Sequence, residues 1–386
     1  MHSDGSRNRT LPAVPFPLVF RFIAVKIILT RPSPYAMISP MKTVPDPVKR
    51  ELCARFSGNP SSLKFLGGGQ DWSDGTVFTF TPADKNASRI MVLKILEFAA
   101  DDDGGLALAE DRLRLVRTFG EAGARIVLPV MSANNLMFET VAEAGRVFMG
   151  YAYPLARGRP VEKNDRVVHS SAFYRALGDV LGKLHAVSEA REETLSPDGT
   201  SSAGGVISGW RGEWEFMRSW CRDEEVGAAW ERIRDELERS PVEKRGYGFV
   251  HNDAHVWNLI LDPESAAVRL GGEPELTVID FDCANYHWYM TDTAVTLYST
   301  VMLATGGIET EEGPPEGFRE KVSRAFWEGY TRHREPGREW LDRLDFYLQY
   351  RRCLLFMPFQ EQTAQHPAWR ERWKRRILEE NKRLFP

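Results

Sequence analysis

The sequence is short of cysteine, of clustered positive charge and of long apolar runs, and each shortage removes a class of function. Its four cysteines, Cys53, Cys221, Cys283 and Cys353, stand far apart with no C-x-x-C pair. Neither a structural zinc site nor a disulfide framework is indicated, and a reducing cytoplasm suits such a chain. A formal net charge of -4 supplies no cationic field for a phosphate backbone, which argues against nucleic acid as a partner. The most apolar segment, Phe16 to Leu29, is broken by Arg21 and Lys26. It is too short and too charged to span a bilayer, so no membrane partner is expected. Internal repeats and low-complexity tracts are missing as well, which removes solenoids and fibrous assemblies.

What is present supports a folded enzyme. At 386 residues and 42% hydrophobic content, the chain can bury one large core or two ordinary ones. Residues 1–40 carry clustered proline and serine and no capped helix; they are read as an extension outside the fold, with Met41-Lys42-Thr43 as the natural beginning of a domain. From Leu63 to Thr81, an apolar segment, the glycines Gly67, Gly68 and Gly69, a polar tip and an alternating run predict a hairpin. Arg89 to Leu96 reads as a buried strand whose one interior charge is Lys94, and Leu106 to Phe119 has helical spacing. Short strands are expected at Ile126–Met131, Leu136–Glu139 and Arg146–Tyr153, closing a first lobe over 41–154. Residues 155–386 turn helical behind Ser170, a good N-cap. Helices are expected at Trp210–Trp220, Val226–Glu238, Thr291–Met302, Arg319–Arg332, Trp340–Phe356 and Trp369–Leu384. Only Leu259–Leu261 and Thr277–Phe281 look extended there.

The informative segment is Phe249-Val250-His251-Asn252-Asp253-Ala254-His255-Val256-Trp257-Asn258, followed by Val278-Ile279-Asp280-Phe281-Asp282. It matches H-x-D-x-x-x-x-N and a hydrophobic strand ending in Asp-Phe. Phosphoryl transfer needs a carboxylate to orient and deprotonate a hydroxyl, and hard oxygen ligands to hold magnesium against phosphates. Asp253 and Asn258 supply one of each, and Asp280 supplies the main metal ligand.

These residues, with Tyr286, Trp288 and Asp292 downstream, resemble the aminoglycoside phosphotransferase and choline kinase group of kinase-like enzymes. The resemblance is detailed over Tyr247 to Tyr298 and looser from Leu63 to Phe356. It implies Asp253 as catalytic base, Asn258 and Asp280 as Mg2+ ligands, His251 as a brace of the loop and Asp292 as its hydrogen-bonding anchor. It implies an α+β, two-lobed protein-kinase-like fold: a small, mainly antiparallel lobe with one helix, a hinge near Tyr153 to Leu155, and a larger, mainly helical lobe carrying the catalytic loop and acceptor site. ATP sits between the lobes in such a fold, held by a strand lysine paired with a helix acid. Lys94 and Glu110 are the choices, with Asp111 and Glu121 as alternatives to Glu110. Gly68 and Gly69 belong to a turn that departs from G-x-G-x-x-G; its place before a strand and upstream of Lys94 makes it a phosphate-covering loop.

Position 252 is Asn where regulated protein kinases often carry Arg, and Asp280 to Asp292 leaves no room for a phosphorylatable activation loop. A small-molecule hydroxyl acceptor of aminoglycoside, amino alcohol, homoserine or sugar type is therefore favoured over a protein one. A non-catalytic nucleotide-binding module is disfavoured because every catalytic position is filled. A metallohydrolase using His251, Asp253 and His255 would leave Asn258 and Lys94 unexplained. His185 and the stripe Trp210, Trp214 and Met217 read as core, and the basic C-terminal helix as a solvated one. As a loop group, Asp253 is expected to tolerate replacement by alanine without loss of the fold.

Overall fold

The structure is a computed structural model that describes residues 43–379 and Phe385, apart from 70–74, 85, 87–88, 192–194, 197–198, 201–204 and 266–271. Residues 1–40, the Gln70–Ser73 tip of the glycine turn and the last turn of the expected C-terminal helix lie outside the described residues.

Alternation of apolar residues builds the first lobe as an antiparallel sheet of five strands in the order β1-β2-β3-β5-β4. The strands are β1 (Lys64–Gly68), β2 (Gly75–Phe80), β3 (Met91–Ala99), β4 (Glu139–Glu143) and β5 (Arg146–Pro154). One face, carrying Phe78, Phe80, Leu93, Ile95, Phe148 and Ala152, packs on helix α1 (Asp46–Arg55) through Val48, Leu52 and Cys53. The other face, with Leu96 and Met149, receives helix α2 (Asp103–Glu121) through Leu113.

Among the described residues the lobe thus has two α-helices rather than the one expected. Helix α1 escaped notice because it is ten residues long and buries only three of them, too few for a clear 3.6-residue period. The strand expected at Leu136–Glu139 is shifted to β4. The segment 126–131 makes only isolated bridges, Ile126 with Val278 and Val130 with Ala152.

After β5 and a short β6 (Arg159–Pro160), the chain is mainly helical: α3 (Ser171–Ala190), α4 (Trp210–Trp220), α5 (Glu224–Glu238), α6 (Tyr289–Thr305), α7 (Phe318–Tyr330), α8 (Arg338–Leu341), α9 (Leu344–Phe356), α10 (Gln360–Ala364) and α11 (Pro367–Leu378). Ser170 caps α3 by accepting the Phe173 N–H. Helices α3 and α7 meet through glycines. A Cβ on Gly178 would stand 1.9 Å from the Phe326 carbonyl oxygen, and one on Gly329 would stand 1.9 Å from that of Arg175.

Two small sheets sit between these helices. Strand β7 (Tyr247–Val250) pairs with β10 (Asn285–Trp288), and β8 (Leu259–Asp262) pairs with β9 (Glu275–Val278). Residues 251–258 run from the first pair to the second, and residues 279–284 run back. This return path lays the two motif segments side by side. Strands β7 and β10 were not expected, and the helix expected over Trp340–Phe356 is interrupted at Asp342 and Arg343.

Candidate active site

The loop after β7 is shaped by its own backbone demands. Asn252 adopts φ 63°, a left-handed conformation that asparagine tolerates better than most residues. Its N–H and that of His251 both donate to the carboxylate of Asp292 in the first turn of α6, at 2.6 and 2.8 Å. Asp292 is fully buried and also meets His185 Nε2 at 3.2 Å, while His185 Nδ1 lies 2.8 Å from the Tyr330 hydroxyl. His185 is therefore a packed, bonded histidine that connects the loop anchor to α7.

His251 Nδ1 accepts the Asp253 N–H at 3.2 Å, so the ring proton lies on Nε2, which donates to the Ile279 carbonyl at 2.9 Å. Its ring rests 4.5 Å from that of Phe281. Both ring nitrogens are engaged in joining one motif segment to the other.

Asp253 is 2% exposed. Its Oδ1 accepts from Arg351 Nη2 at 2.9 Å, and its Oδ2 lies 3.4 Å from both His255 Nε2 and Asn258 Nδ2. Burial acts to raise its pKa, but the adjoining His255 ring and the Arg351 guanidinium outweigh it and hold the carboxyl below the ordinary aspartate value. Asn258 closes the loop. Its side-chain amide donates to the Asp253 carbonyl at 2.9 Å, and its own carbonyl accepts the Ile279 N–H at 3.0 Å. The amide oxygen of Asn258 is thereby left as the acceptor of this side chain.

Asp280 follows β9 in a left-handed conformation, φ 72°. Its Oδ1 lies 2.9 Å from Lys94 Nζ, and Asp282 Oδ2 lies 2.5 Å from the same nitrogen. Burial works to lower the Lys94 pKa; Asp280, Asp282 and Tyr153 together push it well above the ordinary lysine value. A cleft between the lobes is lined here by Lys94, Tyr151, Tyr153, Ile279, Asp280 and Asp282.

Lys94, Asp253, Asn258, Asp280, His251 and Asp292 thus form one connected set, but Glu110 does not join it. Glu110 pairs with Arg114 on its own helix. Asp111 accepts the Val206 N–H, and Glu121 pairs with Arg117. The buried face of α2 runs through Leu108, Arg112, Leu113 and Val116, and it presents Arg112, not an acid, to the interior. Gly68 and Gly69 have φ of 83° and 75°, which glycine adopts without a Cβ penalty. Gly68 pairs with Thr76, and the next residue, Val77, pairs with Lys94, so the glycines end the hairpin at the level of the lysine.

Three site residues escaped the sequence reading. Arg351 lies on α9 and looks like a solvated arginine until the loop is placed beside it. Asp282 was visible, two positions after Asp280, but carried no assigned role. Glu213 on α4 is buried beneath the loop and accepts from Asn252 Nδ2, the Tyr350 hydroxyl and Asn285 Nδ2. Burial pushes its pKa up, and the bonds from Tyr350 and Asn252 oppose that shift.

Among the described residues, no group of three or more His, Cys, Asp or Glu could hold a metal ion. Asn258 and Asp280 nevertheless offer side-chain oxygens of the hard kind that magnesium takes, one or two at a time, beside phosphates and water. No helix among the described residues is long and apolar enough to cross a membrane.

Residues 124–340 match the phosphotransferase enzyme family. A curated relative, the amicoumacin kinase of Bacillus subtilis (strain 168), is 23% identical over 245 residues, covering 62% of this chain and 66% of its own length. The present chain thus aligns with just under two thirds of that relative. Among solved structures, an amicoumacin kinase in complex with AMP-PNP, Ca2+ and Ami superposes with TM-score 0.70 at 19% identity, covering 87% of this chain and 94% of that one. A microcompartment-associated aminopropanol kinase gives 0.63 at 16%, covering 87% and 98%. A choline kinase from Cryptosporidium parvum Iowa II gives 0.52 at 12%, covering 86% and 94%. These likenesses establish the two-lobed kinase-like fold. The family match spans more than half of the chain and includes both motif loops, so the chain belongs to the phosphotransferase enzyme family.

Proposed function

We propose that the protein transfers the γ-phosphoryl group of ATP to a hydroxyl of a small-molecule acceptor, with Mg2+ as the metal. The observation that carries this reading is the joining of the two motif loops: Asn258 bonds the Asp253 carbonyl and the Ile279 N–H while the neighbouring Asp280 meets Lys94. A base, two oxygen ligands and a phosphate-binding cation are thereby held within one hydrogen-bonded unit, which is what phosphoryl transfer requires of a protein.

Asp253, kept ionised by its neighbours, accepts the acceptor hydroxyl's proton on Oδ2, since Oδ1 is engaged by Arg351. Lys94 holds the nucleotide phosphates from the β3 side. Asn258 and Asp280 would hold Mg2+, which neutralises charge on the phosphates when bound. The glycines at the end of β1 allow close approach of backbone to the phosphates.

One feature supports a small acceptor and another counts against the hydrolase alternative. From Asp280 the chain passes through one short turn into β10 and directly into α6, which gives a peptide no docking segment. Both nitrogens of His251 are also committed to protein partners, which counts against a metallohydrolase ligand set. The acceptor class, by comparison with the relatives' names, is an amino alcohol or an antibiotic hydroxyl.

The test is release of ADP from ATP and Mg2+ across aminoglycosides, amino alcohols, homoserine, sugars and a casein-like protein, with Asp253→Asn as the blank. Acceptor-dependent release by wild type alone supports the reading, and absence of any nucleotide binding sinks it.

A further inference from the structure

We infer that Asp282, rather than an acid on α2, is the residue that positions Lys94 for the nucleotide. This rests on the phosphotransferase reading above and deepens it.

In protein kinases the strand lysine is oriented by a glutamate on the following helix, and the position of that helix controls activity. Here every acid considered for that task is engaged elsewhere. Glu110 and Glu121 pair with arginines of their own helix, and Asp111 accepts a backbone N–H from Val206. Lys94 Nζ instead lies 2.5 Å from Asp282 and 2.9 Å from Asp280. The two carboxylates are not equivalent: the Asp282 side chain is 10% exposed and the Asp280 side chain 23%. Asp280 is the more accessible of the pair, as a metal ligand must be, and Asp282 is the one left to keep the lysine when Asp280 is engaged.

The turn that carries Asp282 is itself anchored. Phe281–Cys283 forms a single 3-10 turn closed by the Ala284 N–H on the Phe281 carbonyl at 3.0 Å. Arg112 Nε then donates to the Ala284 carbonyl at 2.8 Å, with both groups buried. Helix α2 therefore supplies a cation to the backbone of the turn where an acid for the lysine was expected. Lys94 from one lobe and Arg112 from α2 converge on one turn of the other lobe.

The experiment is equilibrium binding of ATP and ADP to the full chain, with and without Mg2+. The proteins compared are wild type, Asp282→Asn, Asp282→Glu, Glu110→Gln, Lys94→Ala and the Lys94→Ala/Asp282→Asn double variant, each checked by its melting temperature. Asp282→Asn is expected to weaken binding about tenfold both with and without Mg2+ and to raise KM for ATP more than it lowers kcat. Glu110→Gln is expected to stay within about twofold of wild type, and the double variant within about twofold of Lys94→Ala. Asp282→Glu, which keeps the charge, recovers most of the loss; Asp282→Ser, which also lacks the charge, takes the place of the asparagine variant if that variant fails to fold. A loss seen only with Mg2+ would make Asp282 a metal ligand and overturn the inference. So would an additive double variant, an equal loss in Glu110→Gln, or no recovery by glutamate. Those results leave the phosphotransferase reading standing, whereas a wild-type protein that binds no nucleotide overturns both.

Discussion

Arg351 Nη2 donates to Asp253 Oδ1 at 2.9 Å, joining residues 98 positions apart in a pair whose side chains are 6% and 3% exposed. The proposed base therefore works against a fixed positive charge contributed by a helix of the distal part of the chain.

That pair, together with His255 beside the same carboxylate, shapes the acid side of the pH profile. Asp253 titrates below the ordinary aspartate value, so activity should persist as pH falls until the folded pKa is reached, and then decline. In Arg351→Met the largest remaining influence is burial, which raises the pKa. The acid limb of kcat/KM is expected to move to higher pH, by roughly one unit or more for the loss of one close charge. A limb that stays in place, measured across pH 4 to 8, would show that Arg351 does not hold the base.

The same pair changes the expectation for Asp253→Ala. A loop residue was expected to be replaceable without loss of fold, but Asp253 is buried and its removal leaves the Arg351 guanidinium without its carboxylate. Breaking one side of a buried ion pair costs about 3–5 kcal/mol. Urea melts should show Asp253→Ala clearly less stable than Asp253→Asn, which keeps an acceptor oxygen for Arg351. Equal midpoints would return the residue to the class of a tolerant loop position.

His287 provides a pH-dependent contribution to stability. It is wholly buried, its Nδ1 accepts the Trp288 N–H at 2.9 Å, and burial lowers its pKa from 6.5 to about 3. Because the folded value is depressed, the unfolded chain binds the proton first. The stabilisation is complete above pH 6.5 and is lost progressively as pH falls toward 3. The slope contributed is roughly 1.4 kcal/mol per pH unit within that window. His287→Asn should flatten the pH dependence of the unfolding free energy from urea melts between pH 6 and 4 by about that slope. An unchanged slope would assign the acid sensitivity to other groups.

The α3–α7 contact should be intolerant of any side chain at Gly178. Its Cβ would meet a carbonyl oxygen at 1.9 Å, and backbone cannot yield as a flexible side chain does. Gly178→Val is expected to cost about 3 kcal/mol or more. It should also reduce kcat, because α7 carries the Tyr330 that meets His185, the partner of the loop anchor Asp292. A thermal melt and an activity measurement on the same preparation would separate the two effects.

Much of the fold was legible because its signals are local. Helix α4 was read with its observed ends, α3 began behind its Ser170 cap as expected, and the alternation of β2 and the apolar run of β3 placed the sheet. What escaped had weak local signals. Helix α1 is short and mostly polar, and β7 and β10 are four-residue strands whose pairing joins segments more than 30 residues apart.

The motif residues likewise announced themselves, since Asp253, Asn258 and Asp280 combine particular side chains at particular spacings. From the sequence alone came the groups proposed for the chemistry: a loop carboxylate, two further oxygen-bearing side chains, a strand lysine and a glycine turn. Only the tertiary structure decided which groups face one another. It turned α2 so that Arg112 rather than Glu110 points inward, brought Asp282 to Lys94, and carried Arg351 across the chain to Asp253. Spacing along a helix or strand specifies a face, but the partner of that face is set by packing between elements distant in sequence. A charge that reads as solvated on its own helix becomes a buried partner when another element covers it.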